Sequence, residues 1–268
     1  MKYILMCIAA LAVCVCVAIL ATKLIAKKVR MKRFFKVMLT TAIALVIMLA
    51  VSLGYLSIYY HADSTANITA DNVQMNKIKG GYFFDGPGEN TALIFYQGAK
   101  VDTLAYVPLM TSLAENGIDC FLADIPFRVA RLNGNIADEF MNVYSYDKWI
   151  AAGHSMGGLV ISNYAAAHAN QIDSLVLLGS YPGCEIPDCI SLYSIYGTED
   201  GCLNRDAYEE AKKFWPSDSY EYAIEGGNHA QYANYGPQSG DLEPAITAKE
   251  QQDITVNIIL KIMSDEDM

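Results

Sequence analysis

Two long uncharged runs, Tyr3–Thr22 of 20 residues and Val37–Tyr60 of 24, open this chain and restrict its first 60 positions more tightly than any other feature restricts the rest. At a helical rise of about 1.5 Å per residue, either run reaches across a hydrocarbon layer of roughly 30 Å. Inside such a layer a lone segment can satisfy its backbone only as a helix. Between the runs lie Lys23, Lys27, Lys28, Arg30, Lys32, Arg33 and Lys36. Short loops rich in Lys and Arg stay on the cytoplasmic side of a membrane. The expectation is a transmembrane helical hairpin over residues 1–60, with helices at about 3–26 and 34–60 and a basic cytoplasmic loop at 27–36. The bilayer is then a partner, and everything after Tyr60 lies on the extracytoplasmic face of the cell membrane. A cleaved leader is the competing reading of the first run. Against it, only Lys2 precedes the run, the run exceeds 15 residues, and no convincing small-x-small site stands before Lys23. The segment Leu11–Cys14 resembles a lipoprotein cleavage site only faintly, because Val13 suits one poorly. Cys7, Cys14 and Cys16 read as small apolar packing residues.

The charge of the chain divides at the same point. Overall, 18% of its 268 residues are charged, against about a quarter in ordinary soluble domains. The first 60 residues carry eight Lys or Arg and no Asp or Glu, so the remaining 208 hold 11 basic and 29 acidic residues, a net of −18. An acidic body with no basic face excludes a nucleic-acid partner. The hydrophobic content, 53%, excludes a disordered or collagen-like chain. Residues 61–79 are polar and turn-prone, with Asp63, Ser64, Asn67, Thr69, Asp71 and Asn72, and read as a tether. Asn67-Ile68-Thr69 matches a glycosylation sequon, which has meaning only in a eukaryotic secretory host. Residues 80–268 are long enough for one substantial core and one domain.

That domain alternates strand-like and helix-like segments. Thr91–Tyr96, Ile118–Ala123, Lys148–Ala152, Ile172–Leu178, Ile190–Tyr196 and Tyr220–Ile224 are short β-prone runs. Helical patterns lie at Leu104–Asn116, Asn135–Val143, Leu159–Ala169, Arg205–Phe214 and Thr247–Met263. Largely apolar strands separated by amphipathic helices indicate an α/β class: a mainly parallel sheet covered on both faces.

The run Lys148–Ala152 passes directly into Gly153-His154-Ser155-Met156-Gly157-Gly158 and then into a helical pattern. A G-x-S-x-G match alone is weak. Set between a strand and a helix it describes a sharp turn that lifts a serine hydroxyl above a sheet edge. Gly153 and Gly157 leave room where the turn is tightest, and Gly158 lets the helix pack closely. Such a serine needs a base to take its proton and an acid to orient that base. Of the three histidines after the tether, His154 lies inside the turn, where its side chain is expected to point away from the hydroxyl. His168 sits on the following helix surface. His229, in the glycine-rich loop after the last strand, is the candidate base. Asp200 in Gly197-Thr198-Glu199-Asp200-Gly201 is the candidate acid, with Glu199 as the fallback. The oxyanion donors expected are the backbone N–H groups of Met156 and, after the first apolar strand, of Ala99.

Taken together, strand-QGAKVD, strand-GHSMGG, strand-YGTEDG and EGGNHAQY resemble the α/β-hydrolase fold over residues 91–263, nearest to short, lid-less dienelactone-hydrolase-like or serine-esterase members. The resemblance implies acyl transfer to water from a small-molecule acyl substrate, through an acyl-serine intermediate and with no metal or organic cofactor. Two departures stand out. Gln97-Gly98 replaces the His-Gly of many members, and there is little room for two leading strands, so a shortened sheet is expected. Gly179–Cys189 is too short for a helical lid, which leaves the site open or roofed by Ile125–Asn133. Gln97, Arg128, Arg131 and Tyr232 are candidate substrate contacts; the bland reading of the two arginines, pairing with surface carboxylates, weighs more. Cys184 and Cys189 could pair in an oxidising compartment, whereas Cys120 reads as a buried thiol. A membrane-anchored carboxylesterase is the leading reading. A peptidase or acyltransferase on the same fold, or a catalytically idle binding module, are the alternatives.

Overall fold

The structure, a computed structural model, describes residues 2–29, 31–68 and 70–265. Arg30 of the basic loop, Thr69 of the sequon and the side chain of Cys7 lie outside the described residues. The chain divides into two units, Met1–Ile58 and Tyr59–Met268.

The first unit is a pair of helices, α1 (Lys2–Lys28) and α2 (Arg33–Leu56), which pack on one another. Thr22 Oγ1 donates to the Ala18 carbonyl at 2.9 Å and lies 2.9 Å from Thr40 Oγ1 across the pair. The connection is shorter than the expected 27–36, because Lys27 and Lys28 continue α1 while Arg33 and Lys36 begin α2; Lys and Arg are good helix formers. Helix α2 also stops at Leu56 rather than near 60, since Tyr60 is drawn into a β-bridge with Val101. Among the described residues, α2 is the one helix long and apolar enough to cross a membrane.

The second unit is built on one eight-stranded sheet. Strands β1 (Gln74–Ile78), β2 (Gly81–Asp85), β3 (Thr91–Tyr96), β4 (Asp119–Ala123), β5 (Lys148–His154), β6 (Ser174–Leu178), β7 (Ser191–Gly197) and β8 (Ser219–Ile224) lie in the order β1-β2-β4-β3-β5-β6-β7-β8. The β1–β2 and β2–β4 pairs are antiparallel and all the others parallel. The sheet is therefore not shortened, and the tether expected over 61–79 is partly strand. Strand β1 escapes a reading of hydrophobic pattern because QMNKI is an exposed edge strand with one half-buried residue. It is turned into β2 by Gly80 at φ 87.

Alternation along β3 and β5 sends side chains to two cores. Leu93, Phe95, Ile150 and Ala152 enter the core covered by α3 (Val107–Glu115) and α7 (Ala248–Asp265), which contribute Leu109, Met110, Val256 and Ile259. Ala92, Ile94, Tyr96, Trp149 and Ala151 enter the other, covered by α4 (Asp138–Met141) and α5 (Met156–Ala167) through Phe140, Val160, Ile161 and Tyr164. The remaining helix, α6 (Arg205–Ala211), buries Tyr208. Burial on both faces explains why β3, β5 and β6 read as continuous apolar runs.

Phe121 of β4 lies at the centre of the second core, fully buried, with ring centroids 4.7 Å from Phe83, 4.8 Å from Tyr144, 5.3 Å from Phe140 and 5.6 Å from Trp149. Phe121→Ala is expected to cost about 3–5 kcal/mol, read as a lowered urea midpoint of the full chain in detergent.

Candidate active site

Strands β3, β5, β6, β7 and β8 are parallel, so the loops that leave their carboxyl ends meet at one edge of the sheet. That edge is where open α/β sheets place ligands. These loops carry Gln97–Lys100, Ser155, Gly179–Ser180, Asp200 and His229.

Ser155 ends β5 and begins α5 with φ 53 and ψ −124, a conformation costly for any residue with a side chain. The turn is held by contacts that its glycines permit. A Cβ on Gly157 would stand 2.2 Å from the Tyr96 carbonyl oxygen and 2.5 Å from that of Gln97. Glycine at 157 therefore presses the serine turn directly onto the loop after β3. Strand β6 holds the other side: the Ser155 N–H donates to the Leu178 carbonyl at 3.0 Å, and Ser180 Oγ donates to the Ser155 carbonyl at 2.6 Å. Gly153 and Gly158 complete the turn, in close approach to one another and to Ser180.

His229 and Asp200 are brought together. Nδ1 of His229 donates to Oδ2 of Asp200 at 2.8 Å, and both side chains are almost completely buried. The other carboxylate oxygen accepts from the N–H groups of Cys202 at 2.9 Å and Leu203 at 2.7 Å. Three donors thus fix one buried carboxylate, which fixes one tautomer of His229. Glu199 is only half-buried and its chain is committed to the turn with Gly227. Ser155, Met156 and His229 line a common cavity of about 220 Å³ with Arg131, Leu159, Tyr181 and Cys202.

Of the backbone N–H groups of Gly98–Val101, one is left without a protein acceptor among the described residues. Gly98 N–H donates to Tyr106 Oη at 2.9 Å, Lys100 N–H to the Arg128 carbonyl at 2.8 Å and Val101 N–H to the Gly98 carbonyl at 3.3 Å. The N–H of Ala99, between them, has no protein acceptor among the described residues, and neither has that of Met156.

His154 is not simply turned away from the site. Its ring lies 4.5 Å from that of His229, fully buried. Tyr106 Oη accepts from Gly98 and therefore directs its own proton at His154 Nδ1, 2.7 Å away. Burial, and then the charge of His229, push the His154 pKa well below the usual 6.5. His154 stays neutral beside His229. His168 lies on α5 as expected, with Nδ1 2.9 Å from the Tyr164 carbonyl.

The substrate-contact candidates fare differently. Arg131 reaches the cavity. Arg128 does not: its guanidinium lies 3.8 Å over the Tyr59 ring, so neither a substrate nor a surface carboxylate is its partner. Gln97 is fully buried, its Oε1 accepting from Thr103 at 3.0 Å. Tyr232 is a core residue, fully buried with Oη donating to the Ile195 carbonyl at 3.1 Å. Cys184 and Cys189 face the Ser162 and Ala169 carbonyls as separate thiols, and Cys120 is buried. Gly179, Ser180 and Tyr106 were not legible as site residues. Gly179, at φ 51, leaves space that a Cβ would take within 2.9 Å of Asp200 Oδ2; its only trace in the sequence is a Gly-Ser at a strand end. Among the described residues, no cluster of three His, Cys, Asp or Glu could hold a metal ion.

Comparison with known proteins identifies the family and the fold. The model of the alpha/beta hydrolase family matches residues 92–253. A protein named "Putative non-heme haloperoxidase" from Mycobacterium phage D29 is 30% identical over 115 residues, 39% of this chain and 41% of its own length. The chain thus aligns with about two fifths of that relative. Among solved structures, an M. tuberculosis esterase superposes with a TM-score of 0.55 at 10% identity, over 75% of this chain and 95% of the esterase. Mouse alpha/beta hydrolase domain-containing protein 10 gives 0.53 at 10% identity, over 72% and 98%. At these identities the structures speak for the fold alone.

The buried, neutral His154 sets a pH dependence of stability. Unfolding frees it to take a proton that the folded chain refuses, so stability is lost as pH falls through about 6.5. Between pH 7.5 and 5.5, urea unfolding of the full chain should lose about 1.4 kcal/mol more stability than that of His154→Gln. Equal losses in the two proteins overturn this.

Proposed function

The chain belongs to the alpha/beta hydrolase family, and from that premise we propose that it is a serine hydrolase, a carboxylesterase acting through an acyl-serine at Ser155. The observation that carries the reading is the 2.8 Å pair of buried His229 and Asp200 at a cavity that Ser155 also lines. Asp200 holds His229 with Nδ1 protonated, which leaves Nε2 as the base. His229 takes the Ser155 proton as Oγ attacks the acyl carbonyl. The N–H groups of Ala99 and Met156, unspent within the protein, suit the oxyanion that develops. Collapse returns the proton from His229 to the leaving alcohol, and water repeats the sequence on the acyl-enzyme. A cavity of about 220 Å³ favours short acyl groups, since pockets for drug-sized ligands run to roughly 300–1,000 Å³.

A membrane anchor is the second part of the proposal. Helix α2 buries none of its residues, and Phe34, Val37, Val46 and Leu49 are each at least 60% exposed. So large an apolar surface is stable in lipid and not in water. The basic connection between the helices favours a cytoplasmic loop and an extracytoplasmic hydrolase domain.

A fluorophosphonate probe should label the wild-type chain and leave Ser155→Ala unlabelled. Asp200→Asn should hydrolyse p-nitrophenyl acetate slower by on the order of 10⁴, because His229 loses its orienting acceptor. A folded wild type that resists the probe sinks the reading. For the orientation, protease added to intact cells should remove the hydrolase domain; a protected domain reverses the assignment.

A further inference from the structure

Four residues after α2 ends, at Tyr60, the chain is already bound to the loop that carries Ala99. Tyr60 N–H donates to the Lys100 carbonyl at 2.7 Å, and Asp102 N–H donates to the Tyr60 carbonyl at 2.8 Å, forming a parallel bridge between Tyr60 and Val101. The neighbouring Tyr59 ring stacks 3.8 Å from the guanidinium of Arg128, whose own carbonyl accepts the Lys100 N–H at 2.8 Å. Tyr60 Oη accepts from Ser239 N–H at 3.1 Å and Asp63 N–H donates to the Asn234 carbonyl at 2.9 Å, which ties the same segment to the loop following His229.

The joint is strained. Lys100, Phe127 and Arg128 have φ of 60, 55 and 56. With Ser155 they are the four side-chain-bearing residues with positive φ among those described. Left-handed backbone at such residues persists only where the surroundings over-determine it. Here the surroundings are the Tyr59 ring on Arg128 and the Tyr60 pairing on Lys100 and Asp102, together with the Lys100–Arg128 and Arg128–Ile125 backbone bonds. Loss of the first two would free the torsions of Lys100 and Arg128 and, through the chain, the Gly98–Ala99 peptide plane in which the Ala99 N–H lies.

We propose that Tyr59–Asp63 is a positioning strap for the oxyanion donor, so that acyl transfer at Ser155 depends on the segment that leaves α2. The strap touches no substrate. It acts through Lys100 and Arg128 on Ala99, and through Asn234 and Ser239 on the loop of His229. The proposal rests on the serine-hydrolase reading and adds to it that residues outside the family-matched region belong to the catalytic apparatus.

An oxyanion donor acts in the transition state and not in substrate binding, so its misplacement lowers kcat and leaves KM unchanged. The test uses the full chain in detergent, p-nitrophenyl acetate as substrate, and active sites counted by end-point fluorophosphonate labelling. Tyr59→Ala should lower kcat per labelled site at least tenfold, with KM within twofold and slower labelling. Tyr59→Phe, which keeps the ring under Arg128, should restore the wild-type rate. Wild-type kcat per labelled site in Tyr59→Ala overturns the proposal. Should Tyr59→Ala fail to fold, Arg128→Gln removes the other half of the same contact and must show the same split; failure of both to fold makes the contact a folding element and overturns the strap. A wild type that the probe never labels is a different failure, that of the hydrolase reading, and the strap goes with it.

Discussion

The backbone of Ser155, held at φ 53 and ψ −124, is the constraint on which the arrangement of the site depends. A residue with a side chain takes that conformation only if the chain before and after it is pinned. Before it, β5 is locked between β3 and β6 by parallel pairing up to Gly153 and His154. After it, α5 is pressed onto the Tyr96 and Gln97 carbonyls at Gly157. The same contact that strains the serine therefore brings the loop after β3 next to it. Ser155 and the loop of Ala99 are not positioned separately; they are two sides of one packing contact.

The electrostatics of the site follow from burial. Asp200, almost completely buried, is surrounded by three donors, two backbone N–H groups and His229. A buried carboxylate without them would be costly. His154, next to His229 and wholly enclosed, is kept neutral, with Nδ1 in a hydrogen bond to Tyr106 Oη. The chain Gly98–Tyr106–His154 also takes up the N–H of Gly98, while that of the next residue, Ala99, has no protein acceptor among the described residues.

The strain at Lys100, Phe127 and Arg128 shows how the segment after α2 enters the same economy of constraints. Apolar helices ahead of a domain are commonly joined to it by free linkers, and a polar, turn-rich stretch such as 61–79 reads as one. Here Asp63 caps a short 3-10 turn through Thr65 N–H, Ala66 is buried, and Tyr60 is paired with Val101 before β1 begins. Backbone hydrogen bonds of Tyr60 and Asp63 share this docking with the rings of Tyr59 and Tyr60. The backbone part leaves no mark on the side-chain pattern, and the partners of the two rings, Arg128 and Ser239, lie far along the chain.

The sequence by itself determined the periodic and the local. Apolar runs of five to seven residues between amphipathic segments established a mainly parallel α/β sheet, because strands buried on both faces must be apolar throughout. The serine turn was legible since its glycines are required sterically within one short stretch, and Asp200 and His229 because each closes a strand with a loop of turn residues. Tertiary structure decided what depends on residues far apart in the chain. Strand β1 was missed because an edge strand need not be apolar, and β2 because its apolar run, Tyr82–Phe84, is only three residues long. Tyr232 and Gln97 proved to be buried and Arg128 to lie on Tyr59, since a side chain's surroundings come from other elements. Gly179 and Tyr106 joined the site for the same reason: what they make room for, or hydrogen-bond to, lies 20 to 50 residues away, a distance over which the linear order of residues carries no contact.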